Sequence, residues 1–195
     1  MRSGPEMGFL DTILGRSKPP PPDLDALFAL PSVAITLEAS VGFKASGTGS
    51  VCFRAAQGGA FAETQAQIQS LLDADQGPKV AVSTDAYGFT WLLVEHDPSD
   101  VGGLATDLHA VNTSLQDAGF GSSLLCTLVG FRDQTGRSLG LVYLYKQGTF
   151  YPFAPLAGEK RDSVLEVQMK PLIESDLRVE PDLARWFPVW GAPGL

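Results

Sequence analysis

The sequence predicts a single α+β domain in which an antiparallel sheet is built largely from hairpins and helices pack mainly on one face. Two pairs of β-rich runs are each joined by a short polar turn that contains glycine, as in antiparallel hairpins. Apolar residues recur at helical spacing before, between and after these pairs, and the order lacks the strict alternation of parallel folds. With 195 residues and 44% hydrophobic content, the chain is long enough to bury a core without disulfides or metal.

Composition and charge exclude several classes of protein. The 14 basic and 22 acidic side chains give a net charge of −8, which is unfavourable for binding nucleic acid through phosphate contacts. No run of about 18 apolar residues predicts a membrane span. Cys52 and Cys126 lie far apart in apolar runs and no secretory signal is evident, so we expect a cytoplasmic protein with reduced thiols.

Two segments precede the domain, which we place at residues 23–195. Residues 1–6 lie before the methionine at which the natural sequence is expected to start. Residues 7–22 combine an apolar leader with a proline-rich linker, whose four consecutive prolines favour an extended path. One side of two helical turns in the leader gathers four large apolar side chains, Phe9, Leu10, Ile13 and Leu14. So short a helix needs a surface to fold against: a membrane, a partner helix or its own domain.

The first half of the domain contains three predicted helices and one strand. Asp23 is a suitable N-cap, and Pro31 suits the first turn of a second helix, so one broken helix or two short ones are expected there. Alternating apolar patterns and glycine breaks predict the remaining boundaries. The predicted helices cover 23–30, 31–42 and 60–75, and the strand covers 47–56.

The two hairpins flank the strongest predicted helix. The first pairs 79–83 with 89–96 around the turn at 85–88, and the second pairs 124–131 with 139–146. The strands of the second hairpin are apolar on both faces and therefore belong in the middle of the sheet. Between the hairpins, residues 99–118 are predicted to form a helix with an apolar stripe at helical spacing; the stripe consists of Leu104, Leu108, Val111 and Leu115.

The C-terminal third carries most of the candidate contact residues. Residues 149–155 are predicted to form an aromatic, proline-punctuated loop, and 163–169 a helix, although their alternation also fits a strand. The tail at 182–195 is rich in tryptophan and is expected to dock onto the domain. Aromatic side chains bury large areas at low entropic cost, so a partner contact competes here with closure of the core; the candidates are Phe150, Tyr151, Phe153, Trp186 and Trp190.

No constellation of reactive side chains predicts catalysis. A metal site would require Cys52, Cys126, His96 and His109 to converge, but no two of these are spaced as a local chelate, so no metal or cofactor is expected. A nucleophile set of Cys126, His109 and Asp107 is equally unfavourable, because Asp107 and His109 point in different directions on a helix. An alternative ligand pocket is predicted around His109 and Asn112, beside the apolar stripe of the central helix.

Several unusual strings identify a family resemblance. MGFLDTILGR, YGFTWLLVEHDPSD, LATDLHAVNTSLQDAGFG, GTFYPFAP and ARWFPVWGAPGL occur in order between Met7 and Leu195, and they closely resemble the actinobacterial PspA-associated protein family PspAB. The resemblance implies association with PspA, a long helical protein of the phage-shock system that binds stressed inner membrane. It supplies no catalytic residues. The order of elements is also weakly similar to type III secretion chaperone and YbjN-like α+β domains.

The residues and the resemblance together predict a binding protein. The leading hypothesis is a non-enzymatic adaptor of the envelope stress response that binds PspA or a related stress protein, with the leader contacting a membrane surface or an amphipathic helix. Such a protein would be cytoplasmic, with a peripheral position at the inner face of the cell membrane as a variant of this hypothesis. The alternatives are a small-ligand sensor or enzyme with a pocket near His109 and Asn112, and a homodimer formed through the sheet edge or the aromatic tail.

Overall fold

The computed structural model of the chain describes residues 22–54, 58–73 and 80–195. It confirms the predicted α+β class, with antiparallel strands in one open sheet and the helices in one domain. The predicted extra residues 1–6 and the apolar leader with Phe9, Leu10, Ile13 and Leu14 lie outside the described residues.

The main sheet in the described part of the chain has six strands in the order β2-β3-β1-β4-β5-β6. Every neighbouring pair is antiparallel, and both predicted hairpins are present as β2 with β3 and β4 with β5. As predicted, the apolar strands β4 and β5 lie inside the sheet rather than at its edge. The bounds are β1 Lys44–Arg54, β2 Ala81–Thr84, β3 Phe89–Glu95, β4 Leu124–Arg132, β5 Ser138–Leu144 and β6 Thr149–Phe153. A short ribbon pairs β7 Pro155–Leu156 with β8 Lys160–Arg161.

The helices pack on one face of this sheet and enclose the larger core. A 3-10 helix at Leu24–Ala29 leads into α1, and Pro31 stands in the first turn of α1 as predicted. Gly42 ends α1 with a left-handed backbone at φ 74°, which glycine adopts without strain. The α-helices of the described ranges are α1 Leu30–Val41, α2 Gly59–Leu72, α3 Val101–Leu115 and α4 Ser163–Ile173.

The central helix α3 is fixed at its start and along its apolar stripe. Asp100 is the cap, because its carboxylate accepts a hydrogen bond from the Gly103 N–H at 2.9 Å. The predicted stripe of Leu104, Leu108, Val111 and Leu115 is buried, and β1 approaches it closely where Gly49 lacks a side chain. This helix therefore anchors the layer of helices to the middle of the sheet.

The predicted loop at 149–155 is wrong, because residues Thr149–Phe153 form the edge strand β6. Pro152 lacks an N–H and is tolerated there because β6 pairs fully with β5 alone. On its outer side, Phe150 donates to the Arg178 carbonyl and accepts from the Glu180 N–H, both at 2.8 Å. Residues 149–153 therefore complete the edge of the sheet, although their aromatic and proline content had predicted a loop.

The ambiguous segment at 163–173 is a helix. The Asp162 carboxylate caps α4 by accepting from the Leu165 N–H at 3.0 Å. The helix continues beyond the predicted end at Met169 and through Pro171, which lies on its exposed side. Leu165, Met169 and Ile173 on the opposite side are buried in the main core, and this packing outweighs the lost backbone hydrogen bond of proline.

One helical stretch of the described chain, Leu24–Val41, is long and apolar enough to span a membrane by length and composition. Leu27, Leu30, Val33 and Leu37 of this stretch are fully or almost fully buried in the core. A core helix of a folded domain passes the same test, so the finding is weak evidence for a membrane span.

Candidate functional site

The second face of the sheet, away from the helices, carries its own apolar cluster. Alternate residues of the strands point to this face because side chains alternate along a strand. The C-terminal segment lies across them, as predicted for the tail, and buries Trp186 and Ala192. The buried sheet residues of this cluster are Cys52, Trp91, Cys126, Leu128, Val142, Tyr151 and Phe153.

Hydrogen bonds hold the C-terminal segment at both of its ends. At one end, the Tyr151 hydroxyl donates to the Phe187 carbonyl and the Arg161 guanidinium to the Trp186 carbonyl, each at 2.7 Å. At the other end, the Thr48 hydroxyl donates to the Gly194 carbonyl at 2.9 Å. The residues between these ends form one wall of an open depression.

This depression, which we call the groove, has a volume of about 740 Å³. Its floor is the sheet surface around Cys52, Trp91, Cys126, Leu144 and Tyr151, and its wall is residues 187–190. Two strongly exposed aromatic side chains also line it, namely Tyr87 at 61% and Phe187 at 57%. The volume lies within the range of small-molecule sites, which are mostly apolar with a few polar groups.

Basic side chains outnumber acidic ones in the lining of the groove. Arg54, Lys146 and Arg185 are the cations, and Asp85 is the acid. Arg185 donates to Gln147 at 2.9 Å and lies 3.6 Å from Asp182. Among the described residues, Arg54 and Lys146 have no carboxylate within ion-pair distance, so their charge faces solvent and any bound ligand.

The single acid of the lining is engaged in the turn between β2 and β3. The indole of Trp91 donates to one oxygen of Asp85, and the Tyr87 and Phe89 N–H groups donate to the other, all at 2.9 Å. Burial opposes the charge, but these hydrogen bonds outweigh it and hold the pKa of Asp85 below its usual range. The carboxylate is therefore charged and locally compensated at neutral pH.

A family model described as PspA associated protein B matches residues 7–194. The chain belongs to this PspAB family. No curated protein and no solved structure matches the chain, and the weak similarity to type III secretion chaperones is not confirmed.

The aromatic residues predicted as contacts in this PspAB chain fall into two groups. Phe150, Phe153 and Trp186 are buried, because β6 and the tail close the core, which was one of the two alternatives for these residues. Tyr151 is buried as well, but it lines the groove together with the partly exposed Trp190. A contact role stays a prediction for these aromatic residues.

His109 and Asn112, the residues of the alternative pocket, do not line the groove. Asn112 is fully buried on the face with the helices, and its amide donates to the Leu108 carbonyl at 2.7 Å and the Thr127 hydroxyl at 2.8 Å. The imidazole of His109 lies 3.2 Å from Asp25 and against the ring of Phe28. The Asn112 Nδ2 and the His109 ring therefore have local partners, whereas the buried Asn112 Oδ1 has none among the described residues. The groove lies on the opposite face of the sheet.

The candidate metal and nucleophile sets are separated in the structure. His96 lies 2.8 Å from Asp107 and 3.1 Å from Asp100, whereas Cys52 and Cys126 pair on the second face of the sheet. In residues 22–54, 58–73 and 80–195, no group of three or more His, Cys, Asp or Glu is placed to hold a metal ion. Asp107 interacts with His96 rather than with His109, because β3 ends beside α3.

Sequence reasoning missed Arg54, Lys146, Asp85 and Tyr87 of the groove. The signal that could have found the two cations is the alternation of side chains along the strands. Arg54 follows Cys52 by two residues, and Lys146 follows Leu144 by two. Side chains two apart share a face of a strand. Extending the alternation past the strand ends would have placed these cations beside the cysteine and leucine of the floor.

Proposed function

We propose that this chain is a non-enzymatic accessory protein that binds PspA and acts as an adaptor in the envelope stress response. The observation that carries the proposal is the match of the PspA associated protein B model to residues 7–194. Its name associates the family with PspA, and its span includes both the leader and the domain. A cytoplasmic location with peripheral attachment to the membrane would give the protein access to such a partner.

We assign the PspA contact to the outer side of α4. Val164 is 68% exposed and Val167 is 56% exposed, and Pro171 follows them on the exposed side of the helix. The spacing of three and then four residues places these apolar groups in one stripe. Leu165 and Met169, on the inner side of α4, pack in the core, so the exposed stripe on the outer side does not contribute to it. Such a stripe suits packing against a helix of a long helical partner.

The leader supplies a second contact in this proposal. Its apolar side chains Phe9, Leu10, Ile13 and Leu14 suit insertion at a membrane surface or against an amphipathic helix. The leader and linker, residues 7–22, carry two basic side chains and one acidic side chain, and this small positive charge favours an anionic surface. The proline-rich linker would keep such a contact apart from the domain.

The placement of titratable side chains supports binding rather than catalysis. His96 and His109 interact with neighbouring carboxylates, and Cys52 and Cys126 are paired in the sheet. These groups hold elements of the fold together. Cys52 and Cys126 lie opposite each other in the groove, whereas neither histidine lines it.

Binding of purified PspA to matched variants of the full chain tests the assignment. We expect Val164→Ser with Val167→Ser to weaken PspA binding at least tenfold, since two exposed apolar groups would leave the contact. Ile35→Ser is the matched control, because Ile35 is 71% exposed on α1 and should leave affinity within twofold. Equal affinity in all variants would refute the α4 contact, and no binding by the unmodified chain would refute the function.

Flotation with liposomes separates the role of the leader from that of the domain. Phe9→Ser with Ile13→Ser should abolish flotation with anionic liposomes and preserve PspA binding through α4. If these changes leave flotation unchanged, the leader does not mediate membrane contact. If they abolish PspA binding while the α4 changes do not, the leader rather than α4 is the partner contact.

A further inference from the structure

We infer that the groove is a binding site for a fatty acid anion, with its acyl chain on the sheet and its carboxylate between Arg54 and Lys146. This ligand site lies on the opposite face of the sheet from the helices and does not depend on the proposed PspA contact. The inference rests on the shape, the lining and the charge of the groove.

The floor of the groove offers an apolar surface for an acyl chain. Trp91, Cys126 and Tyr151 belong to the apolar cluster of the second face, and residues 187–190 form a wall beside them. A volume of about 740 Å³ accommodates a ligand rather than solvent alone. Soluble domains rarely leave such a concave apolar surface without an occupant.

The charge at the groove is opposite to that of the domain as a whole. Residues 23–195 carry 11 basic and 20 acidic side chains, yet three of those basic side chains and one acidic side chain line the groove. Cations placed around an apolar cleft in an otherwise acidic protein favour an apolar ligand with an anionic group. A fatty acid is such a ligand, because its carboxyl group is ionised at neutral pH.

Strand register places the two uncompensated cations at the same end of the groove. Arg54 ends β1 one residue beyond the pair of Phe53 with Leu124, and Lys146 follows β5 two residues beyond Leu144. Their strands flank β4, so the two backbones are about 10 Å apart at this end of the sheet. Long side chains can converge from that distance on one carboxylate, and guanidinium binds carboxylate through two parallel hydrogen bonds.

The leader of the same chain is a poorer match to this charge. Residues 7–22 contain Arg16 and Lys18 but only one acid, Asp11, so their net charge repels the basic end of the groove. The acid in the lining, Asp85, is hydrogen-bonded by Trp91 and two backbone N–H groups and leaves Arg54 and Lys146 available. A fatty acid anion therefore matches both parts of the groove, with its acyl chain on the apolar floor and its carboxylate at the basic end.

Calorimetric titration of the full chain with saturated fatty acids, kept below their micelle concentration, tests the inference. Affinity should rise roughly threefold to fourfold for each added methylene between decanoate and tetradecanoate, as expected when apolar surface is buried. Arg54→Gln with Lys146→Gln should weaken dodecanoate binding at least tenfold but leave 1-dodecanol binding within twofold. Leu144→Trp should block both ligands by filling the floor.

Two controls keep the outcome interpretable. Lys170→Gln removes a cation of α4 far from the groove and should leave dodecanoate affinity unchanged. Thermal unfolding of each variant separates lost binding from lost fold. The inference is overturned if dodecanoate does not bind, or if the change at Arg54 and Lys146 affects acid and alcohol equally. It is also overturned if dodecanoate binds only to the variant with Phe9→Ser and Ile13→Ser and not to the unmodified chain. The leader would then be the natural occupant of the groove.

Discussion

Cys52 and Cys126 lie directly opposite each other on the antiparallel strands β1 and β4, and both line the groove. They are free thiols in this structure and are buried. Hydrogen bonding with Cys126, together with burial, raises the pKa of the Cys52 thiol far above its ordinary value. The neutral thiol is thereby favoured, and it contributes to the apolar floor as a small hydrophobic side chain.

Slow alkylation of both cysteines is the first prediction. Only thiolate is an effective nucleophile, and the raised pKa of Cys52 makes its thiolate scarce at neutral pH. Cys126 is shielded from the reagent by its burial. Native protein treated with iodoacetamide at pH 7.5 should be labelled at least tenfold more slowly than the same protein in guanidinium chloride, by intact mass. Labelling of native protein at the rate of a free thiol would show that the pair is accessible and ionised.

The second prediction concerns the pH dependence of stability at His96. Burial alone would lower the pKa of His96, but hydrogen bonds and the charges of Asp107 and Asp100 outweigh it and raise the pKa above its usual 6.5. The stabilisation is therefore complete below the unfolded-state pKa of about 6.5 and is lost as pH rises through the folded-state pKa. It should amount to about 1 kcal/mol or less, because the pair is near the surface.

Urea unfolding of the unmodified chain and of His96→Gln at several pH values measures this term. The difference in unfolding free energy should be larger at pH 5.5 than at pH 9. Asp107→Asn should remove most of this dependence, since Asp107 is the nearer partner at 2.8 Å. A difference that grows with rising pH would contradict the assignment.

Helix and hairpin boundaries were predictable from the sequence because they depend on local signals. Pro31, Gly42 and the turn at 85–88 act within a few residues of themselves, and their positions match the structure. The conformation of residues 149–155 is not determined by local signals. It depends on pairing with β5 and on backbone contacts with Arg178 and Glu180, some 30 residues along the chain.

The groove was beyond prediction for the same reason. Its wall is the C-terminal segment, whose docking was predicted, but the face on which it docks is set by Tyr151, Arg161 and Thr48. Its cations come from the ends of β1 and β5, which become neighbours only through strand order. Sequence patterns indicated which side chains are apolar, and tertiary pairing determined which of them share a surface.

The third prediction concerns the buried carboxylate of Glu166. It accepts from the Ala154 N–H at 2.9 Å and from Arg161 Nε at 2.9 and 3.0 Å, and so connects α4 with β6 and the ribbon. Glu166→Ala leaves the N–H and most of the guanidinium charge without a partner. We expect a loss of about 3 kcal/mol in unfolding free energy, measured in urea.

Glu174→Ala is the matched control for this change. Glu174 pairs with Lys170 at 3.5 Å on the exposed side of α4, and a surface pair at this spacing contributes about 0.5 kcal/mol or less. Because Arg161 also donates to Trp186, Glu166→Ala should shift tryptophan emission toward that of solvent-exposed indole. Similar losses in the two variants would mean that Glu166 has no special role.

The fourth prediction concerns the close approach of Gly130 in β4 to the C-terminus. A Cβ atom at Gly130 would collide with the carbonyl oxygen of Gly194 and crowd the hydroxyls of Ser46 and Thr48. Gly130→Ala should therefore cost about 1–3 kcal/mol and detach the last residues, which carboxypeptidase digestion would reveal. Gly102→Ala, in α3 with open space around its Cβ position, should leave the C-terminus protected and stabilise the helix by up to about 1 kcal/mol. Equal protection in both variants would show that the C-terminus is not held against β4.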